Sequence, residues 1–183
     1  MSMSVQHVTT KFAEDYPQPF FESAIKELFL DETPDYSEYF SHDHHTLCAE
    51  KAGKIVGAVV VLFSKENADA ITKKSCLSFP HRVGKNWDGT SWLVIFTHVH
   101  RGHRKQGIAS ELFDRWAEEA KHSGVAQVQF FSDSVDQEEQ ALKGSLFSQS
   151  LKRNKWIQIQ EKPIPSERFP HTTLVTIKPE TAV

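Results

Sequence analysis

A chain of 183 residues with 39% hydrophobic and 25% charged side chains has the size and composition of one globular domain, so a single domain over residues 1–183 is expected. Its formal net charge of −3 argues against a general nucleic-acid binder, which carries a basic excess. No window approaches the ~20 apolar residues needed to cross a bilayer, and residues 1–10 are too polar for the apolar part of a signal peptide, so a soluble cytoplasmic protein without membrane attachment is expected.

In chain order, β-branched residues alternate roughly over 4–11 and predict a first strand. Pro17 and Pro19 precede Phe20, Phe21, Ala24, Ile25, Leu28 and Phe29, whose spacing predicts a helix with Pro19 in its first turn. Residues 31–35, Asp-Glu-Thr-Pro-Asp, break it, and residues 36–40 can form a short helical turn. His42, Asp43, His44 and His45 carry metal-ligand chemistry. Four successive side chains cannot converge on one centre, so a solvated loop and no metal are expected. Cys48 and Cys76 form no disulfide framework and have no zinc-ligand spacing.

Residues 46–51 and 54–63 read as a hairpin about Ala52-Gly53, the second arm being apolar enough for a central strand. Residues 64–89 form a polar excursion, with a short helix at 67–74. Residues 92–96, Trp-Leu-Val-Ile-Phe, predict a second strand covered on both faces. A helix over 106–122 would bury Ile108, Ala109, Leu112, Phe113, Trp116 and Ala120 and stop at Gly124. A strand at 125–131 completes a βαβ unit. A helix at 136–147 with the weak stripe Ala141, Leu142 and Leu146 follows, then strands at 156–159 and 172–177. The sum is a mixed α/β domain.

The feature that carries chemistry lies between the second central strand and the long helix, and reads Val99-His100-Arg101-Gly102-His103-Arg104-Lys105-Gln106-Gly107-Ile108-Ala109. A basic, glycine-bearing turn that opens into a helix suits an anion, because the first helical amides lack acceptors and the peptide dipoles add positive charge there. The run resembles the acetyl-CoA signature of the GNAT N-acyltransferases, whose core is Arg or Gln, two residues, Gly, one residue, Gly or Ala. Here that core is Arg104-Lys105-Gln106-Gly107-Ile108-Ala109, and Arg101 stands where the family has a Pro. The order of elements around it matches the family as well.

The resemblance implies a mixed central sheet flanked by helices and acetyl-CoA as cosubstrate. It implies that Arg104, Lys105, Gln106, Gly107, Ile108, Ala109 and Ser110 cradle the pyrophosphate. Thr97, His98 and Val99 would splay from the neighbouring strand to pair with the pantetheine arm and polarise the thioester. The activity implied is acetyl transfer to a primary amine by direct attack in a ternary complex. A base and an acid are then required. Family members often carry Glu or His in the strand, but residues 92–96 hold no ionisable group. His98 is the first candidate base, with Asp133 nearby, and His100 and His103 are expected to face the phosphates. Residues 136–156 hold no Tyr for the acid, which leaves hydroxyls such as Ser145, Ser148 or Ser150, of which Ser148 is retained. The resemblance places the first helix and its following loop over the acceptor cleft, where Asp31, Glu32, Asp35 and Glu38 would attract a cationic amine and Tyr36, Tyr39 and Phe40 would wall it. A homodimer is left open. The alternative is a GNAT fold that binds acyl-CoA without turnover.

Overall fold

The computed structural model describes residues 7–32, 35–43, 45–62, 87, 90–134, 136–164 and 170–181. The helix expected at 67–74 and Cys76 lie outside them. The elements are β1 (Thr9–Phe12), α1 (Gln18–Leu28), β2 (Thr46–Lys51), β3 (Lys54–Leu62), β4 (Trp92–Val99), α2 (Ile108–His122), β5 (Val128–Ser132), α3 (Gln137–Asn154), β6 (Trp156–Pro163) and β7 (Thr173–Pro179). One seven-stranded sheet has the order β1-β2-β3-β4-β5-β7-β6. Every pairing is antiparallel except β4 with β5, which α2 connects by a crossover. Chain-terminal β7 is inserted between β5 and β6, a long-range pairing that local patterning does not reveal.

The apolar run of β3 is covered on both sides, as its composition predicts. Ile55, Ala58 and Val60 enter a core with Phe21, Ile25 and Leu28 of α1, while Val56, Val59 and Val61 enter another with Leu112 and Trp116 of α2. The hairpin turn places both Ala52 (φ 52°) and Gly53 (φ 75°) in left-handed backbone, which matches the strand twist. Gly57 allows α2 to approach closely. A Cβ there would lie 3.0 Å from Ile108 Cγ2 and 3.2 Å from the His98 carbonyl.

Two packing expectations change. Ala109 is exposed rather than part of the α2 stripe, and Ala117 is buried instead. In α3, Leu142 and Leu146 are 62% and 55% exposed, so the stripe read from them is wrong. The helix is held through Phe147, which contacts the rings of Phe113 and Phe130, and through buried Leu151, so it continues to Asn154. Asp136 caps its first turn by accepting from the Glu139 amide at 2.7 Å.

Candidate active site

The site begins with an irregularity in β4. Residues 96–99 pair with β3 in one register and residues 93–94 in another, so Ile95 is an extra residue bulged out of the ladder. A bulge changes which side chains share a face. Leu93 points to the α1 core, and beyond the bulge Phe96 packs there as well; by strand alternation His98 follows it to that face.

On its other edge β4 pairs with β5 only through Trp92↔Val128, Leu93↔Gln129 and Val94↔Phe130. Beyond Val94 the two parallel strands part. The His100 amide donates to Val56 O of β3 at 2.9 Å, which sets the alternation: even-numbered residues direct backbone groups to β3, whereas Thr97 and Val99 direct theirs into the opening. His98 pairs through Ala58 on β3, so its backbone is turned away from the opening while its side chain remains on the α1 face.

The strand leads through a 3-10 turn, Arg101–His103, into a loop with two left-handed residues, Lys105 (φ 62°) and Gly107 (φ 80°). Alternation of this kind turns successive amides to one side, a geometry that holds anions. The first α2 amide with a helical acceptor is that of Glu111, donating to Gly107 O at 3.0 Å. The amides of Lys105, Gln106, Gly107, Ile108, Ala109 and Ser110 have no acceptor among the described residues. A Cβ on Gly107 would meet no heavy atom within 4 Å, and Ala109 is exposed. A set of unpaired donors therefore faces open space at the positive end of a 15-residue helix. Ile108 contributes only its amide, because its side chain is buried against β3 and α2.

A seven-stranded mixed sheet that opens between two parallel strands, with an anion cradle at that opening, is the arrangement of acyl-CoA N-acyltransferases. The family model for the Acetyltransferase (GNAT) family matches residues 6–143. The chain belongs to this family. Solved GNAT structures superpose over nearly the whole chain at low identity. The diaminobutyrate acetyltransferase EctA from Paenibacillus lautus, in complex with L-2,4-diaminobutyric acid and coenzyme A, aligns at TM-score 0.61 and 15% identity, covering 97% of this chain and 98% of that one. The ribosomal-protein-S18-alanine N-acetyltransferase from Escherichia coli aligns at 0.57 and 11%, covering 97% of each. A Bacillus subtilis acetyltransferase in complex with CoA aligns at 0.52 and 11%, covering 96% and 100%. No curated protein matches by sequence. At these identities the structural likeness establishes the fold.

Within the GNAT frame the loop residues take definite positions. Arg104 donates from Nε to Val99 O at 3.0 Å and forms an ion pair with Glu32. Arg101 pairs with Asp31 at 3.6 Å. The two carboxylates read from the sequence as an acidic rim are thus directed onto the basic turn. Gln106 is fixed between Gly102 O and the Lys51 ammonium, which donates to Gln106 Oε1 at 3.0 Å. Lys51, from the hairpin, was not legible as a site residue because 55 positions separate it from Gln106. His100 turns back, its Nδ1 accepting from the Gly102 amide at 3.2 Å, and so serves the turn. His103 is half-buried with its pKa lowered, first by burial and then by neighbouring His100.

His98 is held by α1. Its Nε2 donates to the carbonyl of Leu28 at 3.1 Å, and its ring stacks on Phe29 at 4.2 Å between centroids. A carbonyl only accepts, so Nε2 carries the proton and Nδ1 of the neutral ring holds a lone pair. Burial, the largest influence, holds its pKa below the usual histidine value, against the Leu28 hydrogen bond and Glu32, which raise it. Asp133 lies beyond the end of β5, its Oδ1 accepting from the Thr172 hydroxyl at 2.9 Å. Ser148 is on the exposed side of α3. In the cluster after α1, His42 Nε2 contacts Tyr16 O at 2.6 Å and Asp43 accepts from the His45 amide, so these groups serve the loop.

Proposed function

We propose that this GNAT acetyltransferase uses acetyl-CoA to acetylate a primary amine by direct attack in a ternary complex. The observation that carries the reading is the adjacency of two sets of free backbone groups. The unpaired amides of residues 105–110 suit a pyrophosphate, and the edge of β4 at Thr97 and at the amide of Val99, whose carbonyl already accepts from Arg104, suits the amides of a pantetheine arm. Arg104, Lys105 and Lys51 supply positive charge around the first set. A pyrophosphate bound there directs the arm along the opening.

The transfer needs an unprotonated amine. Its nitrogen forms the C–N bond with the thioester carbonyl carbon, the C–S bond breaks, and the thiolate takes up a proton from water, which balances the one the amine nitrogen loses. A backbone amide of the opened β4 edge stabilises the developing oxyanion, a contact of this kind being worth about 3–4 kcal/mol. His98 receives the amine proton on Nδ1, directly or through one water, since its lowered pKa keeps it neutral. Among the described residues the one cysteine, Cys48, is unsuited to an acetyl-cysteine route, because its thiol is fully buried and its pKa is pushed up to about 12 by that burial.

Initial rates measured with both substrates varied test the order of chemistry. Intersecting double-reciprocal lines are expected, and parallel lines would reveal an acetyl-enzyme. One observation favours a second reading, a binder without turnover: β4 carries no carboxylate and α3 carries no tyrosine. Tight acetyl-CoA binding with no thiol release on any amine would support it.

A further inference from the structure

The segment after α1 is tied in two directions. Asp35 accepts from the Ser37 amide at 2.8 Å, and Tyr36, Tyr39 and Phe40 pack on Phe96, so these residues hold the segment to itself and to β4. Asp31 and Glu32 reach away from it, onto the arginines of the basic turn. Backbone geometry fixes that reach. Asp31 is in left-handed backbone, φ 65°, and the Glu32 amide donates to the carbonyl of buried Phe29 at 2.9 Å, so the Glu32 carboxylate is presented from the turn that closes α1.

The two ion pairs are not equivalent. Arg101 and Asp31 stand 3.6 Å apart with side chains 62% and 66% exposed, and water screens such a pair. The Glu32 side chain is only 27% exposed, and the Arg104 it holds also donates from Nε to Val99 O at 3.0 Å. Val99 is the last residue of β4, where the strand gives way to the anion turn, and its carbonyl is directed into the opening. Arg104 is therefore anchored on α1's side by a carboxylate and on β4 by a carbonyl. Its guanidinium crosses the route from the β4 edge to the free amides of residues 105–110. A diphosphate seated on those amides accepts from a guanidinium as a carboxylate does, with more charge, so it and Glu32 compete for one group.

We propose that Glu32 and the Val99 carbonyl hold Arg104 as a clasp across the mouth of the opening, and that CoA enters by exchanging its diphosphate for Glu32 on that guanidinium. The clasp rests on the CoA-binding reading and adds a regulation of that site: Glu32 is a built-in competitor of the cosubstrate. CoA binding is measured by calorimetry at low ionic strength, where exposed charges are least screened, on the wild-type protein, Glu32→Gln, Arg104→Gln and the double variant. Asp31→Asn serves as the control, since asparagine tolerates left-handed backbone. Glu32→Gln keeps the side-chain shape and removes its charge, so it should tighten CoA about two- to fivefold, the range of an exposed ion pair. Asp31→Asn, and Glu32→Gln made in the Arg104→Gln background, should each change the affinity by less than about 1.5-fold, because the competitor acts only through Arg104. Melting curves without CoA establish that each variant is folded. Glu32→Gln that leaves CoA affinity unchanged or weakens it would overturn the clasp while leaving CoA binding standing. Equal tightening with and without Arg104, or by Asp31→Asn, would do the same, since it would assign the effect to general repulsion of phosphate. No CoA binding by the wild-type protein would instead overturn the cosubstrate reading, and the clasp with it.

Discussion

Gly107→Ala separates the backbone requirement of the anion loop from its ligand requirement. Gly107 has φ 80° and Gly124, at the far end of α2, has φ 68°; a Cβ at either would meet nothing within 4 Å. Left-handed backbone costs an L-residue about 1–2 kcal/mol, offset by about 0.4–1 kcal/mol of lost unfolded-state freedom. Each alanine should therefore remove about 1 kcal/mol, or about 2–4 °C of Tm for a chain of this size. The two variants should differ only when CoA is present. The Gly107 methyl would stand where the pyrophosphate lies and would cost one charged hydrogen bond, about 1.5–3 kcal/mol. That corresponds to roughly 10- to 150-fold weaker binding. At 100 times the wild-type Kd, CoA stabilises by about 2.7 kcal/mol; with affinity about 30-fold weaker the same concentration gives about 0.9 kcal/mol. Differential scanning fluorimetry on the three proteins, with and without CoA, reads both effects. A Gly107→Ala protein that keeps the full CoA shift, or a Gly124→Ala protein that loses it, would refute the reasoning.

Three further outcomes follow from the same geometry. Gly57→Ala places a methyl 3.0 Å from Ile108 Cγ2, so it should cost about 1–3 kcal/mol by overpacking and weaken CoA binding by displacing the start of α2; unchanged chemical-denaturation midpoints would contradict this. Ser134→Ala should raise stability by about 1 kcal/mol, because the fully buried hydroxyl has no partner among the described residues; a fall in Tm would reveal a partner. His98 and His103 both have pKa values below 6.5 in the folded protein. The unfolded chain then binds more protons as pH falls through 6.5, so the stability they contribute is full above 6.5 and is lost below it, down through their folded pKa values. His98→Gln should flatten part of that slope in urea titrations between pH 7 and 5, and an identical slope would contradict the assignment.

Much of the frame is legible locally. The apolar runs of β3 and β4, the periodicity of α2 and the glycine at position 107 each state their structure within about ten residues, and together they suffice for the fold class and the anion loop. The acceptor side is different because its determinants are long-range. The Glu32 and Arg104 pair spans 72 positions, and no local rule distinguishes a carboxylate that meets substrate from one that meets a guanidinium. The bulge at Ile95 arises where β4 fits β3 and decides which face Phe96 and His98 occupy, which strand alternation alone does not foresee. In α3 the exposed Leu142 and Leu146 imitate a buried stripe, since periodicity reports a face and says nothing of what lies opposite it. The end of α3 shows the same limit: Lys155 adopts left-handed backbone, φ 56°, where glycine is favoured.

The central claim is that acetyl-CoA seated at the opening of β4 and β5 is turned over by an amine. Release of free CoA thiol, measured alongside mass-spectrometric detection of the acetylated acceptor across a panel of primary amines, tests it most directly. The account predicts thiol and N-acetyl product in equal amounts for at least one amine, with both abolished together in Gly107→Glu. Thiol release that is the same with and without amine, or no release from protein saturated with acetyl-CoA, would contradict it.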